Sequence, residues 1–454
     1  MPRLLRMTVF AWLVPLLGCG GTQAMPVFVR TNLAVERFSL DNGLNVVLHP
    51  DPTFRSVTVD MRYDVGSKHD PPGRTGLAHL VEHLTFRGKP DGKLDAFALL
   101  EQRGSRSHNA TTTVDATSYY ETVPSEELPI ALFIEAARMA RPLDGVDARS
   151  FEAERSVVMN ERRQRRDNVS YGNLADYARF LLFEDQLEGR PTVGFAEDLE
   201  RVTLEDAQTF TSFYYRPNNA TLVIAGGFDP RRATALVHEL FDAIPGAFLP
   251  KAASVGPPMD DRPIHQTIDA GTDAPAVALA WRVPPAGHRG WHEAVIAADM
   301  IGGWAKYRMG DAVRWISADV TSWTTDNALV VMAELGPKGK PDELVANIEQ
   351  ELEWLADSGN DNDLGSHKSR IIAERMLSLA SLEKRAGELQ ACVARYDDAN
   401  CVQSELHEWS AVRPRDLANF VEHFLQRGRR VRVDARPRAG APKAGAWPKT
   451  GAHQ

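Results

Sequence analysis

Alternating apolar and polar positions in the first half of the chain predict short strands and amphipathic helices. Residues 38–48 hold an Asn-Gly pair between two apolar runs, which is typical of a β-hairpin. Residues 57–65 alternate at the two-residue period of a half-buried strand, and residues 76–88 have helical apolar spacing closed by a glycine. Further strands are predicted at 111–123 and 220–226, and further helices at 128–141, 148–168 and 230–244.

The second half of the chain repeats this order after a break. Residues 245–263 are rich in Gly, Pro and small side chains without periodicity, which indicates a linker. A strand at 275–283 and a helix at 291–301, closed by Gly302-Gly303, then follow. An offset of 215 residues places Gly303 on Gly88 and aligns the two helices, so an internal repeat is predicted.

The N-terminus has the pattern of an export signal. Arg3 and Arg6 precede an apolar run at 7–17, which is too short to span a bilayer. The sequence Leu-Leu-Gly-Cys ending at Cys19 resembles a bacterial lipobox, which predicts lipidation of Cys19 and a periplasmic, membrane-anchored protein. Cleavage after Ala24 is the alternative. Export also means an oxidising compartment, in which Cys392 and Cys401 form either a disulfide or two buried free thiols.

Composition narrows the class of protein further. The chain has 454 residues, of which 43% are hydrophobic and 25% charged, with 3 cysteines, and this describes a globular protein able to bury a large core. The formal net charge of −9 argues against a nucleic-acid partner, because phosphate binding requires clustered Lys and Arg.

The helix at 76–88 carries the candidate chemistry. His79 and His83 are four residues apart, so their imidazoles lie on one helix face and can bind a single ion. Zinc takes imidazole ligands and leaves one position open for water in catalytic sites, and Glu82 lies within reach of such a water. His-x-x-Glu-His is the reverse of the His-Glu-x-x-His metal helix. The alternative is two surface histidines on an amphipathic helix.

A carboxylate on a second helix would complete the ligand set. Glu154 and Glu161 are seven residues apart, two turns along one helix face. With this spacing from the His-x-x-Glu-His helix, the chain resembles the pitrilysin and mitochondrial processing peptidase family, the inverzincins. The resemblance implies that Glu161 is the third zinc ligand and that Glu154 supports the ligands. The alternative for both is a solvated helix face, which the neighbouring arginines show to exist.

The resemblance continues through residues 104–119 and 214–226 and implies two further site elements. Asn109 and Ala110 match a sheet edge onto which relatives add the substrate peptide as a strand; the alternative for Asn109 is a turn residue that bonds its own backbone. Arg314 matches an arginine that holds substrate near the metal, unless it is an ordinary surface charge. The tyrosine that should follow falls at Val320 or Thr321, which implies a homodimer or heterodimer whose partner supplies that function.

The resemblance implies an α+β fold: two repeated lobes of mixed β-sheet with helices packed on one face, enclosing a substrate chamber. It also implies an exported zinc endopeptidase that cleaves peptides or unfolded segments, with Glu82 as general base. A non-catalytic binding or assembly subunit is the alternative. The predicted organisation is a signal peptide 1–18, a stem 19–34, a catalytic domain 35–245, a linker 246–263, a domain of the same fold without a metal site 264–436, and a disordered tail 437–454.

Overall fold

The computed structural model describes residues 33–183, 189–250, 263–324, 327–336, 338–358 and 361–445. The predicted signal peptide and Cys19 lie outside these residues, as does most of the predicted linker. Within the described segments, no helix has the length and apolar character needed to cross a membrane.

The strands form two mixed sheets. One sheet has the order β1-β2-β6-β3-β5-β4 and the other the order β7-β11-β8-β10-β9. The strands are β1 (Glu36–Ser39), β2 (Asn45–Pro50), β3 (Ser56–Tyr63), β4 (Ser107–Thr112), β5 (Thr117–Pro124), β6 (Ala220–Gly226), β7 (Ile264–Ala270), β8 (Ala276–Val283), β9 (Val313–Val320), β10 (Asn327–Leu335) and β11 (Val431–Pro437).

The helices are distributed between the same two halves. They are α1 (Leu77–Phe86), α2 (Ala96–Gln102), α3 (Leu128–Ala140), α4 (Ala148–Arg162), α5 (Leu174–Leu182), α6 (Ala196–Arg201), α7 (Leu204–Tyr214), α8 (Pro230–Phe241), α9 (Trp291–Met309), α10 (Pro341–Ser358), α11 (Asp361–Ser378), α12 (Leu382–Tyr396), α13 (Cys401–Ala411) and α14 (Pro414–Phe424).

The two sheets share one topology, which confirms the α+β class and the repeated lobes. The run β2-β6-β3-β5-β4 in the first lobe corresponds to β7-β11-β8-β10-β9 in the second. In each run the first pair is parallel, β2 with β6 and β7 with β11, and the remaining pairs are antiparallel. The metal-motif helix α1 and its counterpart α9 therefore occupy equivalent places, with Ala294, Ala297 and Ala298 buried in α9.

One helix from each lobe packs on the sheet of the other lobe. Helix α5 packs on β8, β10 and β11, and α12 packs on β3 and β6. Along β6, Leu222 and Ile224 face the first lobe's core, whereas Val223 and Ala225 face Leu389 of α12. Helices therefore cover both faces of each sheet, whereas the sequence predicted helices on one face. Successive strand residues point to opposite sides of a sheet, and here the residues on both sides are apolar.

Three predicted elements differ from the structure. The strand expected at 111–123 is a hairpin of β4 and β5, closed by a hydrogen bond from Thr113 N to Ala116 O at 2.8 Å. The helix expected at 148–168 ends as α4 at Arg162, and a π-helical turn continues to Asp167. Helix α9 runs through Gly302-Gly303 to Met309, because a glycine inside a helix lowers its stability without necessarily ending it.

Two further features concern the second lobe. Cys392 in α12 and Cys401 in α13 form a disulfide with Cα atoms 5.3 Å apart, so the disulfide alternative holds. Part of the predicted tail is packed: the Tyr171 amide donates to Lys443 O at 3.0 Å, and Ala444 is buried. The disorder predicted for 437–454 therefore does not extend to these residues, and residues 446–454 lie outside the described part.

Candidate metal centre

Helix α1 is held in a defined rotation by its start and by its apolar face. Gly76, at φ +88°, precedes the helix, and the buried Asp70 carboxylate accepts hydrogen bonds from Gly76 N at 2.7 Å and Ala78 N at 2.8 Å. The side chains of Leu80 and Leu84 are fully buried in the first lobe's core. Burial of this face turns the side chains of the His-x-x-Glu-His motif toward a cavity.

The motif residues and Glu161 converge on one point. Potential ligand atoms of His79, Glu82 and His83 lie within 4.8 Å of one another. From α4, Glu161 Oε2 lies 3.3 Å from His83 Nε2 and 3.9 Å from His79 Nε2. Zinc bonds of about 2.0–2.2 Å in a tetrahedron place neighbouring donors about 3.3–3.6 Å apart. The 3.3 Å separation falls within this range and the 3.9 Å separation lies just beyond it, so a small shift of Glu161 toward His79 would let two imidazoles and one carboxylate hold a zinc ion.

The pKa values of the two histidines shift in opposite directions. Burial, with the nearby His83 and Arg165, lowers the pKa of His79 to about 3, so its imidazole is neutral at neutral pH. Burial also opposes the charged form of His83, but the neighbouring Glu154 carboxylate and the charges of Glu82 and Glu161 outweigh it and raise the pKa of His83. A metal ion at this point therefore competes with a proton on His83.

Glu154 supports His83 from the side away from Glu161. Its Oε2 lies 3.6 Å from His83 Nδ1, and its Oε1 accepts a hydrogen bond from Arg87 Nε at 2.6 Å. A carboxylate on the second ring nitrogen sets the tautomer and the orientation of a histidine ligand. The structure thus places Glu154 where the resemblance predicted a supporting glutamate.

Glu82 is positioned as a buried carboxylate facing the same point. Burial raises its pKa, and a hydrogen bond from Thr112 Oγ1 at 2.5 Å opposes that rise by favouring the carboxylate. The sequence did not predict that Thr112 bonds Glu82, nor that the guanidinium of Arg165 pairs with Glu161 Oε1 at 2.7 Å. The alternation of side chains along a strand could have indicated Thr112 as a site residue, because it is two positions from Ala110 and lies on the same side of β4.

Strand β4 forms one wall of the cavity. The cavity has a volume of about 570 Å³, and its lining includes the metal cluster together with Asn109, Ala110 and Thr112 of β4. Because β4 is the last strand of its sheet, one of its edges is unpaired within the described sheet. Asn109 Oδ1 accepts a hydrogen bond from Ala110 N at 2.9 Å, so this side chain does bond local backbone.

Arg314 lies apart from this cluster. It belongs to β9 and pairs with Asp273 at 2.8 Å and Glu334 at 2.7 Å, both in the second lobe. The cavity around the metal cluster is lined by first-lobe residues. Thr321, at one of the two possible tyrosine positions, hydrogen-bonds Asn327 Oδ1 at 2.8 Å. The described contacts therefore do not bring Arg314 to the predicted zinc.

Comparison with known proteins identifies the family. Residues 45–174 match the family model described as insulinase (peptidase family M16), and residues 201–371 match that described as peptidase M16 inactive domain. The zinc protease PqqE of Helicobacter pylori is 30% identical over 262 residues, which are 56% of this chain and 58% of that protein. An uncharacterized zinc protease of Mycobacterium bovis is 26% identical over 406 residues, 87% of this chain and 92% of that protein.

Solved structures share the fold along most of the chain. A protease from Helicobacter pylori superimposes with a TM-score of 0.82 at 24% identity, covering 89% of this chain and 100% of that one. Pitrilysin gives a TM-score of 0.71 at 20% identity, covering 93% of this chain and 46% of that one. A chain of complex III2 from Candida albicans gives 0.76 at 13% identity, covering 88% of this chain and 96% of that one. This chain thus spans about half the length of pitrilysin.

Two repeated lobes with a His-x-x-Glu-His helix in the first define the inverted-motif class of zinc peptidases. The chain belongs to the peptidase M16 family. Its similarity to zinc proteases and its histidine-glutamate cluster assign zinc as its cofactor.

Proposed function

We propose that the protein is a zinc endopeptidase in which His79, His83 and Glu161 hold the metal. The observation that carries the proposal is the approach of Glu161 Oε2 to both imidazole Nε2 atoms, at 3.3 and 3.9 Å. The retention of a buried glutamate beside these ligands favours an enzyme over a non-catalytic binding subunit, because a binding subunit has no use for a proton acceptor there.

The chain's own residues account for the proton transfers. When bound, zinc polarises the scissile carbonyl and lowers the pKa of water toward about 7. Glu82 accepts a proton from the attacking water and then donates it to the leaving amine. Its raised pKa brings the carboxyl closer to neutral pH, where one group can serve as both base and acid. Thr112 holds the Glu82 carboxylate in place through its hydroxyl.

The proposed substrates are peptides or extended protein segments. A substrate strand added to β4 would pair with the backbone around Asn109 and Ala110, and main-chain pairing makes little demand on sequence. Such pairing requires the substrate to be extended, so folded proteins are excluded. Arg314 and a second subunit would act on the substrate from outside the described metal cluster.

The test of this function is Glu82→Gln. We expect the variant to retain one equivalent of zinc by elemental analysis and to lose turnover of an unstructured peptide by about 10²–10⁴-fold, since only the proton acceptor is removed. Glu152→Gln, on the exposed face of α4, is the matched control and should retain activity. Undiminished cleavage by Glu82→Gln would refute the assignment. A wild-type protein that purifies without zinc and binds none would favour the binding subunit.

We also propose that the protein is exported and attached to a membrane through lipid on Cys19. The apolar run at 7–17 followed by Cys19 supports this. Mass spectrometry of the mature N-terminus distinguishes a lipidated Cys19 from cleavage after Ala24. Cys19→Ser should release the protein from the membrane fraction, and retention of that variant would contradict the anchor.

A further inference from the structure

Arg162, the residue after the predicted ligand Glu161, has a more deeply buried side chain than Glu161. Arg162 is buried, with 6% of its surface exposed, at the end of α4. Its Nη1 donates to the carbonyl of Gly194, and its Nη2 lies 3.3 Å from Asp167 Oδ1. The buried Nε has no hydrogen-bond partner among the described residues, so the two Nη contacts are what compensate the burial of this guanidinium. The contact with Gly194 O ties α4 to the loop that contains Gly194.

The Gly194 loop in turn lies directly against the start of α1. A Cβ atom built on Gly194 would lie 2.3 Å from Thr75 O, and one built on Gly76 would lie 2.7 Å from Val193 O. Both glycines have positive φ, +80° and +88°. The two backbones are therefore packed as closely as glycine allows.

Hydrogen bonds of Thr75, which precedes α1, stabilise the contact between the Gly194 loop and the start of α1. Thr75 Oγ1 donates to Asp198 Oδ2 at 2.7 Å and accepts from Phe195 N at 2.9 Å. Thr75 is buried, and α1 begins two residues later. The hydroxyl thus joins the loop containing Gly194 to the segment immediately before the helix that carries His79 and His83.

We propose that Arg162 is a positioning residue for the metal centre, acting through Gly194 and Thr75 to set the distance between α4 and α1. The inference rests on the proposed function only in taking Glu161 as a zinc ligand. Glu161 is on α4 and the two histidines are on α1, so the separation of these helices decides whether the three donors meet. Arg162 also lines the cavity of the metal cluster, but among the described residues its hydrogen bonds go to Gly194 O and Asp167 rather than to the predicted ligands, so it acts through the backbone of the Gly194 loop.

The test measures zinc affinity by chelator competition, alongside thermal unfolding of the zinc-free and zinc-loaded full chain. Arg162→Ala should bind zinc about 10–100-fold more weakly, the usual effect of removing a group that orients metal ligands. Arg162→Lys retains one donor for Gly194 O and should recover most of that loss. Arg163→Ala is the matched control, because Arg163 is exposed and bonds Asn160 on its own helix.

A purely structural role predicts a different result. In that case Arg162→Ala would unfold at a lower temperature with and without zinc by equal amounts, and its zinc affinity would equal that of the wild type, which would overturn the proposal. If Arg162→Ala fails to fold, Thr75→Val carries the test, with Arg162→Lys as its near-wild-type reference, and unchanged zinc affinity in Thr75→Val would overturn the proposal as well. Because the readout is zinc binding, a wild type that binds zinc but lacks peptidase activity would refute the proposed function and leave this inference standing.

Discussion

Thr112 Oγ1 lies 2.5 Å from Glu82 Oε2, and this bond joins the strand proposed to bind substrate to the proposed general base. Thr112 is on β4 and Glu82 is on α1. The hydroxyl donates to the ionised carboxylate and therefore stabilises the form that accepts a proton. The strand proposed to bind substrate therefore directly contacts the carboxylate proposed to accept the proton.

Thr112→Val should shift the acidic limb of the kcat/KM profile to higher pH. The hydroxyl's hydrogen bond lowers the pKa of Glu82 against the effect of burial, so its removal raises that pKa, and a higher pH is then needed to ionise the base. The measurement is peptide cleavage as a function of pH. Thr111→Val, at an exposed neighbour, is the control, and an unshifted limb in Thr112→Val would show that the bond does not tune Glu82.

Glu154→Gln should weaken zinc binding by about 10–100-fold without abolishing it. Glu154 Oε2 lies 3.6 Å from His83 Nδ1, and an amide is a poorer acceptor for that ring nitrogen than a carboxylate. His83→Ala, which removes a ligand, should weaken binding much further. Titration with a zinc indicator orders the variants, and equal affinity of Glu154→Gln and wild type would show that Glu154 does not support the ligand.

Stability should fall as pH rises from about 4 to about 7 because of Asp60. Burial raises the pKa of Asp60 from 3.8 to about 7; the Gln390 hydrogen bond and the Arg62 charge oppose this rise, and the Glu135 charge adds to it. In that interval the unfolded chain has released the proton that the folded chain retains, so the slope of unfolding free energy against pH is negative. Asp60→Asn should make the unfolding free energy, measured by urea unfolding between about pH 4 and 7, depend less on pH. Parallel profiles for the variant and wild type would contradict the assignment.

Removal of the Cys392–Cys401 disulfide should lower the unfolding free energy of the second lobe by about 2–3 kcal/mol, the loop-closure value for nine residues of separation. The double variant Cys392→Ala, Cys401→Ala and the reduced wild type should agree in urea unfolding. Zinc affinity should stay at the wild-type value, because the disulfide lies in α12 and α13. A variant as stable as the oxidised wild type would show that the bond contributes no net stability.

The match between prediction and structure is best where the signal is local. The spacing of His79 and His83 depends only on helix geometry, and the apolar period that buries Leu80 and Leu84 sets which way the histidines face. The repeat was visible because the order of strand and helix recurs, Gly303 aligns with Gly88 at an offset of 215 residues, and alanines stand at the metal positions of α9. The strand at 111–123 was misassigned because residues 113–116 turn within an otherwise strand-like composition.

By itself the amino-acid sequence determined the helix that carries two imidazoles and a carboxylate, its suitability for zinc, and the internal repeat, since each follows from periodicity or from residue types at fixed spacing. The two-lobed fold and the peptidase chemistry were implied by the resemblance to a known family. Only the tertiary structure decided that Glu161 lies beside both imidazoles and that Thr112 bonds Glu82. It also decided that Arg162 contacts the Gly194 loop and that one helix from each lobe packs on the sheet of the other. These contacts join residues distant in the chain, and their distances depend on how whole helices and sheets pack rather than on any local pattern.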